Sequence, residues 1–172
     1  GEIVTTLSTA RMRLEPITEL HLAEVHEMDR HIEVMRYISG EPATWEQTEA
    51  WIQRVRRCWA AWGFSWWVFL ELSSGRVAGA GCIQHARREA DLPEDLESLR
   101  TNPLEIGWRL HPDFWRKGLA SEAALRIAQF AFDALKAPEL IAVRHPENAS
   151  SAGVMDRLGM RYRGLETWYG EP

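Results

Sequence analysis

Cysteine is scarce in this chain: Cys58 and Cys82 are the only two among 172 residues. Two cysteines cannot build a disulfide framework or a four-thiolate metal knuckle. Both fall in apolar stretches of a predicted helix and strand, which points to structural thiols in a reducing, cytoplasmic setting. Long apolar runs are missing as well. The longest, "WAAWGFSWWVFL" at 59–70, is too short to span a bilayer and carries Gly63 inside it, and no signal-peptide pattern is visible. Positive charge is not in excess either. A formal charge of −5 argues against a nucleic-acid partner, because neutralising phosphates takes a concentrated basic face. Nine tryptophans could form a base-stacking platform, but Trp59, Trp62, Trp66 and Trp67 sit in apolar runs, where core packing is the commoner use. There is no internal repeat and no low-complexity tract.

What is present reads as one domain, since the length suits a single well-buried core. "TARMRLEPIT" alternates Met12 and Leu14 with Arg11, Arg13 and Glu15, as a half-buried strand does. Thr18 opens "TELHLAEVHEMDRH", with Leu22, Val25 and His26 on one helical face. Thr44 and Gln47 fit a capping box before "WEQTEAWIQRVRRCWAAW", whose apolar stripe is Ala50, Trp51, Val55, Cys58, Trp59 and Trp62, with Gly63 as the stop. "FSWWVFLE", the turn "LSSGR" and "VAGAGCIQH" read as a hairpin. Gly79 and Gly81 share a face of its second strand, where a backbone or a ligand would approach closely. Residues 86–103 form a charged excursion, and "LEIGWRL" is a strand. A long helix, the strand "ELIAVRH", the short helix "NASSAGVMDRLG" and a final strand "MRYRGLETWYG" complete the chain. This order implies an α/β fold on a mixed sheet, with the late strands parallel across their helical crossovers.

The long helix begins in "HPDFWRKGLASEAALRIAQFAF", where two cations and a glycine stand at its mouth. Ala120, Ala124, Ile127, Ala131 and Leu135 recur at helical spacing, and Ala123 widens that face. The first turn of a helix leaves N–H groups unpaired and carries partial positive charge. Gly118 removes the side chain that would keep an anion away, and Arg116 and Lys117 add full charges, which together make a seat for a diphosphate. A junction with solvated cations and no ligand is the competing reading. The spacing is neither a Rossmann fingerprint nor a P-loop.

"LEIGWRLHPDFWRKGLASEA" followed by "HPENASSAGVMDRLGM" resembles the GNAT superfamily of acyl-CoA N-acetyltransferases, and within it the ribosomal-protein N-terminal (RimJ/RimL-like) branch. "TARMRLEPIT" matches its opening strand, "HIEVMRYISGEPAT" the loop after its first helix and "RVAGAGCI" its third strand. The resemblance implies a single GNAT domain over 1–172, with a mostly antiparallel twisted sheet, a splayed parallel strand pair and about four flanking helices. It implies acetyl-CoA as cosubstrate, held at Arg116, Lys117, Gly118, Leu119, Ala120 and Ser121. The family pattern Q/R-x-x-G-x-G/A here starts at Trp115, a departure in its first position. It further implies that backbone groups near Trp108, Arg109 and Leu110 pair with the pantetheine arm, beside Asn148 and Ser151.

Acetyl transfer to an amine needs a base for the amine, donors for the developing oxyanion and an acid for the departing thiolate. Glu105 is the expected base. It shares a strand face with Gly107 and Arg109, and its competing reading is a surface carboxylate paired with an arginine. His85 and His111 are looser alternatives, with His111 read as solvated beside Pro112. Ser151 is the expected acid, because Met155 stands where many relatives in the family place a tyrosine. Tyr162 and Tyr169 remain substitutes. Helix capping alone would also explain Asn148 and Ser151. No metal site is expected, since His21, His26 and His31 are spaced by five and share no helix face. Cys82 is read as structural. Residues 31–44 and 86–103 are expected to line the acceptor pocket, although the acidic run in the latter also reads as a solvated, mobile loop.

The acceptor would be a protein N-terminus or a small-molecule amine. The resemblance also implies a last strand that this sequence does not show. An unpaired edge there would call for further chain or for a homodimer. A non-catalytic acyl-CoA-binding or regulatory module, and a scaffold using aromatic patches, are the other classes left open.

Overall fold

The middle of the sheet follows from aromatic and small residues in alternation. In the computed structural model, which describes residues 5–144, 148–161, 164, 166, 168 and 169, Trp66–Glu71 (β3) pairs antiparallel with Val77–His85 (β4). Trp67 and Phe69 are fully buried, and Gly81 leaves room for them. A Cβ on Gly81 would lie 2.5 Å from Phe69 Cζ and 3.0 Å from both Gly107 O and Ile127 Cδ1. The close approach expected of this glycine is therefore made by the protein's own core.

β4 also pairs with Leu104–Leu110 (β5), and β3 with Met12–Pro16 (β2), which pairs with the short Leu7–Ser8 (β1). The result is a five-stranded antiparallel sheet in sequential order. Among the described residues, five α-helices flank it: Leu22–Asp29 (α1), Ile32–Met35 (α2), Trp45–Trp62 (α3), Leu119–Asp133 (α4) and Ala149–Arg157 (α5). The expected α/β architecture is thus present.

The helices divide between the two faces of the sheet. Gly81 looks toward Ile127 on α4, whereas Arg109, which pairs with Ala80 on the opposite parity, reaches Asp29 on α1. Trp51 on α3 packs edge-on against Trp66 on that second face. α3 starts as its capping box dictates, with Gln47 N–H donating to Thr44 Oγ1 at 3.1 Å and Thr44 N–H donating to Gln47 Oε1 at 2.9 Å. Gly63 ends it in the left-handed conformation, φ 80°. Its buried stripe is Thr48, Ile52, Val55, Cys58, Trp59 and Trp62, so Ala50 is exposed and the first half of the stripe runs one residue off the reading above. Thr48 tolerates burial because its hydroxyl donates to Thr44 O at 3.1 Å.

Two expectations change. Residues 86–103 are not simply a solvated run. Leu96 and Leu99 are buried, Trp62 Nε1 donates to Leu96 O at 3.2 Å, and Arg100 Nη2 donates to Ala61 O at 2.8 Å, which docks this segment on the end of α3. The strand expected at "ELIAVRH" reduces, among the described residues, to a single parallel bridge between Glu105 and Ile141. Part of the final strand falls outside the described residues; of those described, Trp168 is in a bridge and Tyr169 N–H donates to Arg87 O at 2.9 Å.

Candidate active site

The gap beside β5 comes from ladder parity. His111 N–H donates to Ala78 O at 2.8 Å, so odd positions of β5 face β4. Even positions face away. Ile106 N–H donates to Ile141 O at 2.8 Å and Ile141 N–H to Leu104 O at 2.9 Å. Among the described residues no further bridge joins the two segments, and the next even positions are Trp108 and Leu110. By the same parity the Trp108 N–H and C=O and the Leu110 N–H point away from β4, while Leu110 O is taken by Trp115 Nε1 at 3.0 Å. The backbone of Arg109, by contrast, faces β4. Its side chain is buried, with Nε and Nη2 donating to Asp29 at 2.9 and 2.8 Å, and its guanidinium lies against both the Trp51 and Trp66 rings, 4.5 and 4.7 Å from their centroids.

Trp115 pins the connection from β5 to α4, and the helix mouth follows it. Gly118 caps α4 at φ 77° with no side-chain cap, and Arg116 also holds a left-handed φ of 63°. An L-residue with a side chain adopts this conformation at a cost that glycine escapes. The first N–H groups of α4 have no acceptor within the helix. Two further cations arrive that no local signal in the sequence announces. Arg11, from the turn before β2, donates Nη1 to Lys117 O at 2.8 Å and Nε to Glu122 Oε1 at 2.7 Å, and its Nη2 lies 3.6 Å from where a Gly118 Cβ would stand. Arg157, at the end of α5, donates Nη1 to Ser121 Oγ at 2.6 Å. Partial burial would raise the Glu122 carboxyl, but hydrogen bonds from Thr9 and Arg11 outweigh it and hold the group below the usual range, so it stays charged as the anchor of Arg11. Arg11, Arg116, Lys117 and Arg157 thus gather around one helix N-terminus.

Glu105 is not a surface carboxylate. It is only 6% exposed, on the sheet face toward α1 and α3. Its Oε2 accepts from the Tyr169 hydroxyl and from Gln84 Nε2 at 3.4 Å, and Gln84 Nε2 also donates to the Tyr169 oxygen at 2.9 Å. Burial pushes its pKa up to about 7, against the opposing pull of those two hydrogen bonds. Tyr169 is clamped in turn by its N–H bond to Arg87 and by the Arg87 guanidinium 4.7 Å above its ring. Tyr162 lies outside the described residues.

Asn148 caps α5. Ser151 N–H donates to Asn148 Oδ1 at 3.2 Å, and Asn148 Nδ2 donates to Ser151 Oγ at 3.1 Å. No hydrogen bond among the described residues joins this pair to the Glu105 group. His85, the looser base candidate, is buried against Trp62 and Phe64, with Nδ1 3.1 Å from Asn102 O, and burial lowers its pKa. His111 is the clear correction: it is 4% exposed rather than solvated, because Phe114 and His31 pack on its ring. Cys82 is fully buried and its thiol pKa is pushed up by that burial, so it makes no nucleophile.

The sequence matches the family described as "Acetyltransferase (GNAT) domain" over residues 11–161. The chain belongs to the GNAT acetyltransferase family, whose activity is acetyl transfer from acetyl-CoA. It is 30% identical over 170 residues to FsC-acetyl coenzyme A-N(2)-transacetylase of Aspergillus fumigatus, an alignment covering 95% of this chain and 67% of that protein. Its fold matches the GNAT-family acetyltransferase from Bacillus anthracis with a TM-score of 0.74 at 24% identity, covering 93% of this chain and 86% of the other. It also matches the RimL ribosomal L7/L12 alpha-N-protein acetyltransferase in complex with coenzyme A, with a TM-score of 0.74 at 14% identity, covering 97% and 92%. Among the described residues no helix is long and apolar enough to cross a membrane.

Proposed function

We propose that this protein transfers the acetyl group of acetyl-CoA directly to a primary amine. The observation that carries the reading is the helix mouth at Gly118. Unpaired N–H groups ringed by Arg11, Arg116, Lys117 and Arg157 follow directly on the β5 edge, where the Trp108 and Leu110 amides turn away from β4. The diphosphate would sit at residues 116–121, and the pantetheine arm would run along the β5 edge toward Glu105. Asn148 and Ser151 at the start of α5 would flank that arm.

In this mechanism Glu105, directly or through a water, takes a proton from the acceptor ammonium, and the free amine attacks the thioester carbon. The Trp108 N–H supports the oxygen as it becomes negative. The C–S bond then breaks, the attacking nitrogen releases its surplus proton and the thiolate takes one up; Ser151 Oγ, the candidate by family pattern, would give its proton to sulfur and regain the one lost from nitrogen. A base with pKa about 7 is matched to this step at neutral pH. The acceptor is a protein N-terminus or a small-molecule amine in a cytoplasmic setting; the Aspergillus fumigatus relative is named an N(2)-transacetylase, and the RimL structural neighbour an alpha-N-protein acetyltransferase. One observation favours a second reading, a binding module without chemistry: the Glu105 carboxylate is enclosed by Tyr169 and Gln84.

Calorimetry with acetyl-CoA, followed by a thiol-release assay across amines, tests both readings. Wild type is expected to bind and Gly118→Glu to lose at least about 100-fold in affinity, since a carboxylate would be placed among the anion-binding amides. Equal affinity in Gly118→Glu would remove the phosphate assignment. Binding without thiol release from any amine would support the non-catalytic module.

A further inference from the structure

On the sheet face opposite α4, the end of β5 meets the junction of α1 and α2. Three side chains from these elements converge there, and the acyl-transfer reading uses none of them. Glu27 lies in the last turns of α1, His31 precedes α2, and His111 directly follows β5. One ligand atom from each lies within 4.8 Å of the other two. Both imidazoles turn Nε2 toward the same carboxylate: His111 Nε2 is 2.6 Å from Glu27 Oε2, and His31 Nε2 is 3.4 Å from Glu27 Oε1.

The outward nitrogens are placed in the same way. His111 Nδ1 lies 3.8 Å from Asp113 Oδ2, and His31 Nδ1 lies 3.7 Å from Glu33 Oε2. A carboxylate behind each imidazole is the arrangement that orients metal-binding histidines and raises their basicity. The Asp113 carboxylate is itself fixed by Arg76 Nη2 at 2.8 Å.

One atom in this group is unsatisfied. His111 Nε2 is shielded from solvent and has no well-aligned hydrogen bond, with only an ion-pair contact to Glu27 Oε2 at 2.6 Å among the described residues. A buried polar atom left unpaired costs free energy that a ligand would recover.

We propose that Glu27, His31 and His111 form a Zn2+ site that ties the α1–α2 junction to the end of β5. Two imidazoles and one carboxylate are a donor set that zinc takes, leaving a fourth position for water, and they are poor ligands for magnesium or calcium. Ligand atoms about 2.0–2.1 Å from a tetrahedral zinc stand roughly 3.3 Å apart, and the two carboxylate–Nε2 separations present, 2.6 and 3.4 Å, with all three ligand atoms within 4.8 Å, need only small side-chain shifts to reach that spacing. The side chain of Glu27 is 47% exposed and that of His111 is 5% exposed, so an ion would enter from the Glu27 side.

Binding requires a change of tautomer. Nδ1 of His111 now accepts the Asp113 N–H at 3.0 Å, which leaves the ring proton on Nε2. With zinc on Nε2 the proton moves to Nδ1, which gives up the bond from the Asp113 N–H and donates instead toward the Asp113 carboxylate, now 3.8 Å away. The two free cysteines do not compete, since both are buried with raised thiol pKa values.

The test uses the full chain, free of any affinity tag and stripped by chelator, titrated with Zn2+ by calorimetry and with Co2+ by visible absorption. One ion per chain is expected, with tetrahedral cobalt bands. Free Zn2+ at 100 times Kd should raise Tm by about 5–10 °C. His31→Asn and Glu27→Gln, both at accessible positions, should each weaken binding more than about 100-fold. Asp113→Asn should weaken it by about 10–100-fold, and His26→Asn should leave it unchanged. Absence of saturable uptake overturns the site, as does uptake that His31→Asn and Glu27→Gln leave intact. His111→Asn is confirmatory only where it folds, so the two accessible variants decide the matter. Acetyl-CoA affinity does not enter any of these measurements, so this inference and the acyl-transfer reading fail separately.

Discussion

Replacing Glu105 by glutamine separates the two consequences of burying a carboxylate. The group ionises near 4.5 in an exposed chain and near 7 in the folded protein, because burial disfavours its charge more than Tyr169 and Gln84 favour it. Between those values the folded state holds a proton that the unfolded chain has released. Stability therefore falls as pH rises through this window and levels off above it. At about 1.4 kcal/mol per pH unit, the interval corresponds to roughly 3 kcal/mol, most of which falls between about pH 5 and about pH 8. A glutamine at this position keeps an oxygen for the Tyr169 hydroxyl and does not titrate. Glu105→Gln is thus expected to gain ~2–3 kcal/mol over wild type on going from pH 5 to pH 8, or about 5–10 °C in Tm. Its acetyl-transfer rate should fall by about 10²–10⁴. Urea unfolding of both proteins at the two pH values isolates the group, because every other titration cancels in the double difference. A double difference of zero, or one of opposite sign, would refute the raised pKa. A rate within twofold of wild type would refute the base.

Tyr169→Phe removes a hydrogen bond that favours the charged Glu105, so the pH–rate midpoint is expected to move up from about 7; an unchanged or lowered midpoint would detach Tyr169 from the base. Asp29→Asn leaves the Arg109 guanidinium buried without its counter-charge and should cost about 3–5 kcal/mol of stability in denaturant unfolding, even though the partial cover of Trp51 and Trp66 remains. A loss below 1 kcal/mol would show that the aromatic faces alone hold the cation. Ser151→Ala is expected to lower turnover more than acetyl-CoA affinity, read by steady-state kinetics beside calorimetry. Equal turnover would leave Ser151 as a helix-cap residue only.

The elements that could be read from the sequence are those written in neighbouring residues. Thr44 and Gln47 close a capping box across three residues, Gly118 marks a helix mouth, and the β3–β4 hairpin announces itself by its turn. The alternation in "LEIGWRL" put Glu105, Gly107 and Arg109 on one face, and the β4 register has the same parity. What sequence could not show is the charge state of the groups on that face, because the deciding partners come from far along the chain. Burial pushes the Glu105 pKa up to about 7, and part of the cover comes from Tyr169, which returns from the C-terminal segment even though its hydrogen bond pulls the other way. Arg11 reaches the mouth of α4 from the first hairpin, and its anchor is a carboxylate on α4 itself. His111 looked solvated beside its proline, yet α1 and the aromatic ring of Phe114 close over it and bring Glu27 and His31 to its edge. Residue type and spacing name which groups are able to carry a proton or a metal. Long-range packing sets their ionisation, and so Glu105→Gln, which alters charge while sparing shape, tests the fold's contribution to the chemistry more directly than any truncation would.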